Sequence, residues 1–456
     1  MVFHAFDSQW FRRPGSPCVL AAIGIIAVVI GTAAPKGYPA TIGTPRPCCN
    51  NSPPACSSNG QTAQSDNRFL QQAIDSVARY GGGTVKIGAG RYQLRDALRL
   101  ASGVRVVGVP GKTVMVMCNG RKTVPTADLH KGATQLELAD ASGFNVGDGV
   151  SIEDQQNKGF PTTTTTLTQR LGPKTFRIST PLEDDYSLAR GAAVRLAFPV
   201  VSGVNVRGAG VEGITVEGNF NRPGSEYLNG CRGGGIYLYD CHDTTVRNCT
   251  VRYICGDAIS FQRNCTNVTV ENCLAEHNSN VGLHPGSGSH HCLVKNNRVL
   301  NNGYCGLFVC VAVKHVLFEG NEIAGNGGCG ISIGQDDSDN LFRSNRVADN
   351  AAAGVLFRPG PEIGADRNVF ERNTFADNLR PRAAKCNSHP SAAGRASVLL
   401  EGDYDDLVFR DNLFSFTKPG QAQAAVLVES AAKNLKLENN RLSNLEVEIL
   451  KENPAQ

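Results

Sequence analysis

Aromatic residues are scarce, at 7% of the 456 residues, and tryptophan occurs once. A helical bundle with a core of bulky rings is therefore a poor fit, whereas the 50 glycines suit many short strands joined by tight turns. Neither sign of charge is in excess. The formal net charge is +4 and no basic stripe is visible, which removes the electrostatic basis for a nucleic-acid partner. Beyond residue 34 no segment is apolar enough to cross a bilayer.

The first 34 residues carry Arg12 and Arg13, an apolar run from Val19 to Ile30, and the small residues Gly31, Thr32, Ala33 and Ala34. A charged flank, a short apolar core and a small-residue exit describe a secretory signal peptide, so a secreted, periplasmic or cell-surface location is expected. The alternative is an uncleaved N-terminal anchor, since Cys18 to Ala34 is 17 residues. Residues 35–65, rich in Pro, Ser, Asn and Thr, read as a flexible leader containing Cys48, Cys49 and Cys56. After cleavage no membrane association is expected, and a monomer is.

The strongest signal is a period. Ile259, Leu283, Leu307, Ile331 and Val355 each open a short apolar strand 24 residues after the last, and Ile236 extends the series upstream. A second apolar position recurs at Val246, Val270, Val294, Phe318 and Phe342. Three residues later comes the column Cys249, Cys273, Asn297, Asn321 and Asn345. The pattern returns with longer loops at Phe370/Asn373, Phe409/Asn412 and Leu437/Asn440. Units this short cannot close a core alone, so neighbours must stack, with equivalent positions about 4.8 Å apart. A stacked Asn column can then hydrogen-bond along the pile. The leucine-rich-repeat consensus Leu-x-x-Leu-x-Leu is missing, which leaves an all-β, right-handed single-stranded parallel β-helix.

Asp66 to Tyr80 has helical spacing, with Phe69, Leu70, Ala73, Ile74 and Val77 on one face, and is expected to cap the open end of the solenoid. It leads into Gly81-Gly82-Gly83-Thr84-Val85-Lys86-Ile87, Gly90-Arg91-Tyr92 and Val104-Arg105-Val106-Val107-Gly108. This first coil resembles that of the pectate-lyase superfamily, and the resemblance extends through the stacked coils after Asp66. The expected organisation is a cap helix and first coils over 66–125, an inserted β element over 126–199, and parallel β-helix repeats over 200–450.

On each leading strand the first and third positions are apolar and point inward, so positions two and four point outward. Position two reads Tyr237, Ser260, His284, Phe308, Ser332 and Leu356; position four reads Tyr239, Gln262, Gly286, Cys310, Gly334 and Arg358. Rings, polar groups and small residues together predict a trough for a polysaccharide. Tyr237, Tyr239, Gln262, Phe308 and Gln335 are its candidate contacts, with Arg222 reaching in from the loop before Tyr237.

Gly256-Asp257-Ala258 looks like the Gly-Asp-Asp strand of polygalacturonases, although Ala258 replaces the second Asp and no Arg-x-Lys follows. Gly282-Leu283-His284-Pro285-Gly286 is similar in shape to the Asp-Pro-His strand of alginate C5-epimerases, with His284 where that Asp would stand. The resemblance implies proton transfer beside a uronate carboxylate, favouring a lyase or epimerase over a glycoside hydrolase. His284 would be the base or acid, Asp257 its orienter, and Arg358 a carboxylate ligand about 14 Å away at a separate subsite. The other reading is a noncatalytic carbohydrate-binding or surface-structural solenoid. No cofactor is required, though Gln335, Asp336 and Asp337 together offer oxygens to Ca²⁺. His291 and His315 share a column with Asp243, Asn267, Asp339 and Asp406, which suits turn geometry better than a metal. Cys241/Cys265, Cys249/Cys273 and Cys305/Cys329 stack one coil apart, as thiols or as bridges. Cys310 faces the trough without an evident histidine partner.

Overall fold

A computed structural model describes residues 40–42, 66–359, 364–379, 396–402, 404–429 and 433–451. The signal segment over residues 1–34 and Cys48, Cys49 and Cys56 lie outside the described residues. Of residues 35–65 only Ala40–Ile42 is described, a strand that pairs in parallel with Val85–Ile87 of Gly83–Ile87.

From there the chain winds as a parallel β-helix whose three sheets hold twelve, eleven and eleven strands among the described residues. Each coil supplies one strand to each sheet, as in Ile259–Gln262, Thr269–Glu271 and Leu274–Glu276. The 24-residue period becomes register: Ile259 pairs with Leu283, Leu283 with Leu307, Leu307 with Ile331 and Ile331 with Val355. The inward column on the next sheet ends in rings, and Phe318, Phe342, Phe370 and Phe409 stack face to face with centroids 4.4–4.7 Å apart. That spacing is set by the strand separation, so ring stacking and backbone pairing reinforce each other.

Turns between strands need left-handed backbone, which Asn, Asp and His tolerate better than most residues. Asp243, Asn267, His291, His315, Asp339 and Asp406 all have φ between 53° and 61°. The His291/His315 column is thus a turn column. Just past the following turn runs the expected Asn ladder. Asn297 N–H donates to Asn321 Oδ1 at 2.9 Å, and Asn321 Nδ2 donates to Val294 O and Asn345 Oδ1 at 2.9 and 3.0 Å. A second ladder, Asn278, Asn302, Asn326, Asn350 and Asn378, does the same at the next corner. The paired cysteines are stacked thiols, all free. Cys241 N–H points at Cys265 Sγ at 3.3 Å, so sulfur serves as a rung.

The helix Asp66–Arg79 packs Leu70 and Ile74 into the end of the stack. Its Asp66 carboxylate accepts from Gln93 N–H and its Asn67 Oδ1 from Arg95 N–H, both at 2.6 Å, so the cap also occupies backbone donors. Phe69 departs from expectation, lying 58% exposed on the solvent side. The inserted element is a six-stranded antiparallel sheet drawn from strands between Lys122 and Arg195.

Candidate functional site

Register determines what meets on the outer face. Asp257 lies just before the strand Ile259–Gln262, and His284 is the second residue of the strand one coil on, beside Ser260. Both side chains are buried, Asp257 fully and His284 to within 6%. His284 Nδ1 and Asp257 Oδ2 are 2.6 Å apart, the orienting contact expected of this pair. The other carboxylate oxygen accepts from Asn280 Nδ2 at 2.6 Å and Val281 N–H at 3.2 Å. Burial opposes charge on His284, but the hydrogen bond with Asp257 and the negative charge of that carboxylate outweigh it and push its pKa up to about 9. Nε2 is sealed from solvent and has no aligned partner.

The seal comes from the segment before Ile236. Gly230 rests directly on the pair: a β-carbon there would fall 1.6 Å from Asp257 Oδ2 and 3.0 Å from His284 Nδ1. Ser260 Oγ donates to Gly230 O at 2.9 Å, and Tyr237 OH donates to Cys231 O at 2.9 Å. Arg232 ties this segment to the inserted sheet through Glu183 at 2.5 Å and lies over the Tyr239 ring at 5.1 Å. The trough is consequently roofed at this point. Tyr237, Ser260, Gln262 and His284 point away from the core as expected, yet they are buried, because the overlying segment covers them. Gln262 Nε2 donates to Ser260 Oγ and to His284 O, and its Oε1 accepts from Ser287 Oγ.

Beyond the roof, Phe308, Cys310 and Arg358 are half-buried at the surface. Phe308 meets the His284 ring edge-on, with centroids 5.2 Å apart. Arg358 does not stand apart at its own coil: the long side chain folds back along the stack. Its Cζ lies 4.1 Å from the Phe308 centroid, Nη1 donates to Ser332 Oγ at 2.7 Å, and Nη2 donates to Val309 O at 2.8 Å. The cation therefore joins the same neighbourhood as His284 rather than a distant subsite.

Two expected contacts fall elsewhere. Arg222, expected to reach into the trough, is exposed and pairs with Glu217 at 3.9 Å. In the acidic turn, Asp336 pairs with Lys314 at 2.7 Å, while buried Asp337 accepts from Val313 N–H and Gly334 N–H. Burial raises Asp337 to about 6 despite Arg358 3.9 Å away. These oxygens are engaged by the protein, Gln335 is half-buried beside them, and among the described residues no cluster of three His, Cys, Asp or Glu is arranged for a metal. The sequence reading missed Asn280 and Gly230.

The model of the right-handed β-helix region matches residues 199–311 and 288–450, more than half of the chain. A search of curated proteins gives no match. Among solved structures, the A-module of the mannuronan C-5 epimerase AlgE4 of Azotobacter vinelandii is similar over 86% of this chain and 94% of its own, at 16% identity and a TM-score of 0.53. The Dettilon tailspike protein gp208 aligns over 83% of this chain and 59% of its own, at 12% identity and a TM-score of 0.53. A structure described as a glycoside hydrolase aligns over 82% and 92%, at 12% identity and a TM-score of 0.50. At these identities the likeness is one of fold. The chain belongs to the right-handed β-helix family.

Proposed function

We propose that this is an exported enzyme that processes a polysaccharide lying along the outer face of the leading sheet, with Asp257 and His284 as its proton-transfer centre. The observation that carries this is the buried Asp257–His284 pair. Burying two charges is costly, and the Ile, Leu and Phe columns already supply the core, so the pair has no evident structural purpose. With its pKa near 9, His284 is an imidazolium at neutral pH, suited to protonating a leaving oxygen and to balancing charge on a uronate carboxylate. Phe308 offers a ring for a sugar face and Arg358 a cation for an acidic sugar. Neighbours of the same fold include a polysaccharide epimerase and a glycoside hydrolase, which supports a glycan as the substrate class.

A panel of uronate and neutral polysaccharides, followed for unsaturated products by ultraviolet absorbance and for new reducing ends, tests the proposal. Turnover that His284→Gln abolishes without lowering the melting temperature is the expected result; turnover unchanged in that variant refutes it. A specific observation favours a second reading, a noncatalytic glycan-binding solenoid: His284 Nε2 is closed off from solvent. Glycan binding with no turnover on any member of the panel selects it.

A further inference from the structure

The seal over His284 has a construction of its own. In the coil that follows it, residues 253–258 suffice to join Arg252 to Ile259, whereas Glu217 and Ile236 are joined by residues 218–235. The surplus chain leaves the coil and lies over the outer face of the leading sheet, with Gly230 against Asp257 and His284. We propose that residues 225–233 form a lid, latched to the inserted sheet, which a glycan displaces to reach the Asp257–His284 pair. This rests on the polysaccharide reading of that pair and adds its regulation: the site is closed at rest and opened by its substrate.

The lid is held differently from the coils around it. Among the described residues, one backbone-to-backbone bond ties it to the stack, from Leu228 N–H to Cys255 O at 3.0 Å. Its other ties are made by side chains. Ser260 Oγ donates to Gly230 O and Tyr237 OH to Cys231 O, both at 2.9 Å. Two ion pairs reach the inserted element, Glu226 with Arg195 at 3.0 Å and Arg232 with Glu183 at 2.5 Å. A segment with so little of the backbone ladder opens locally at far lower cost than a strand inside the stack. Glycines with left-handed backbone flank it, Gly224 at φ 78° and Gly234 at φ 155°, and such residues absorb a hinge rotation readily.

What lies beneath is unlike the inside of a permanent wall. His284 Nε2 belongs to a side chain more than nine-tenths buried and has no hydrogen-bond partner in the protein. A buried donor without an acceptor is costly, and a sugar oxygen admitted under the lid removes that cost. Tyr227, exposed on the lid, offers a ring to the arriving sugar. The inserted sheet thereby gains a purpose: it is the post to which the lid is fastened.

Opening and binding are linked. A glycan that binds only the open form has an apparent affinity proportional to the open fraction, so a weakened latch must raise lid opening and glycan affinity by the same factor. Hydrogen–deuterium exchange of the full-length protein, read by mass spectrometry on peptides spanning 225–233, measures the opening. Alginate and polygalacturonate oligosaccharides are the probes for affinity. In the wild type the lid should exchange about a hundredfold faster than the strand Leu293–Lys295. Glu183→Gln, and independently Glu226→Gln, should speed lid exchange about tenfold, leave Leu293–Lys295 unchanged and tighten oligosaccharide binding about tenfold. Lid exchange as slow as that of Leu293–Lys295, or unmoved by both substitutions, overturns the lid whatever the turnover. Faster lid exchange with unchanged glycan affinity overturns it as well. Exchange that responds to both latches, with neither oligosaccharide bound and no turnover on any glycan, removes the polysaccharide reading and leaves the latched lid standing.

Discussion

Titrating His284 should unfold the protein more easily, and the structure gives both the sign and the size. In an unfolded chain the imidazole titrates near 6.5, and in the fold Asp257 holds its proton until about 9. A folded-state pKa above the unfolded one means stability that is fully present below about 6.5 and is lost as pH rises through about 9. At about 1.36 kcal/mol per unit, that gap is worth roughly 3 kcal/mol. Urea denaturation of the wild type and of His284→Gln at several pH values isolates this contribution, because other titrating groups cancel in the difference. The wild-type advantage should be largest in mild acid and shrink across the alkaline range. A difference that stays flat with pH, or an imidazole titrating at or below 6.5 by NMR, would refute the reasoning.

Other perturbations read other parts of the fold. Asn321→Ala strands the buried N–H of Asn297 and deletes three further hydrogen bonds, so it should cost about 3–4 kcal/mol by equilibrium denaturation, against less than half of that for the partly exposed Asn440→Ala. Gly230→Ala should abolish turnover and lower the melting temperature, since its β-carbon and Asp257 Oδ2 claim the same space. Phe342→Ala, which opens a hole between two stacked rings, should cost about 3–5 kcal/mol. Arg358→Gln should weaken binding of an acidic glycan while sparing a neutral one, a difference readable by titration calorimetry.

The fold was legible because a solenoid writes its geometry into the chain as a period. Once Ile259, Leu283, Leu307 and Ile331 share a column, inward and outward positions follow, and so does the ladder through Asn297, Asn321 and Asn345. The second ladder from Asn278 to Asn378 carried the same spacing and was equally readable. Burial of the outward row was not readable. It depends on Gly230, Cys231 and Arg232 lying over Tyr237, Ser260 and His284, and on Glu183 of the inserted sheet holding them there, contacts between segments with no shared period. Arg358 was misplaced for a related reason: coil spacing locates a Cα, and a side chain that long can travel back along the stack to Phe308. Phe69 shows the converse, since helical spacing put it near the buried stripe, yet the helix buries Leu70 and Ile74, packs Ala73 and Val77 against the core, and leaves Phe69 to solvent.

A crystal structure with a bound oligosaccharide bears most directly on the account. The chain of sugars should run across Phe308 beside Arg358, next to the Asp257–His284 pair. Sugars held against either of the other two sheets, with this face empty, would contradict it.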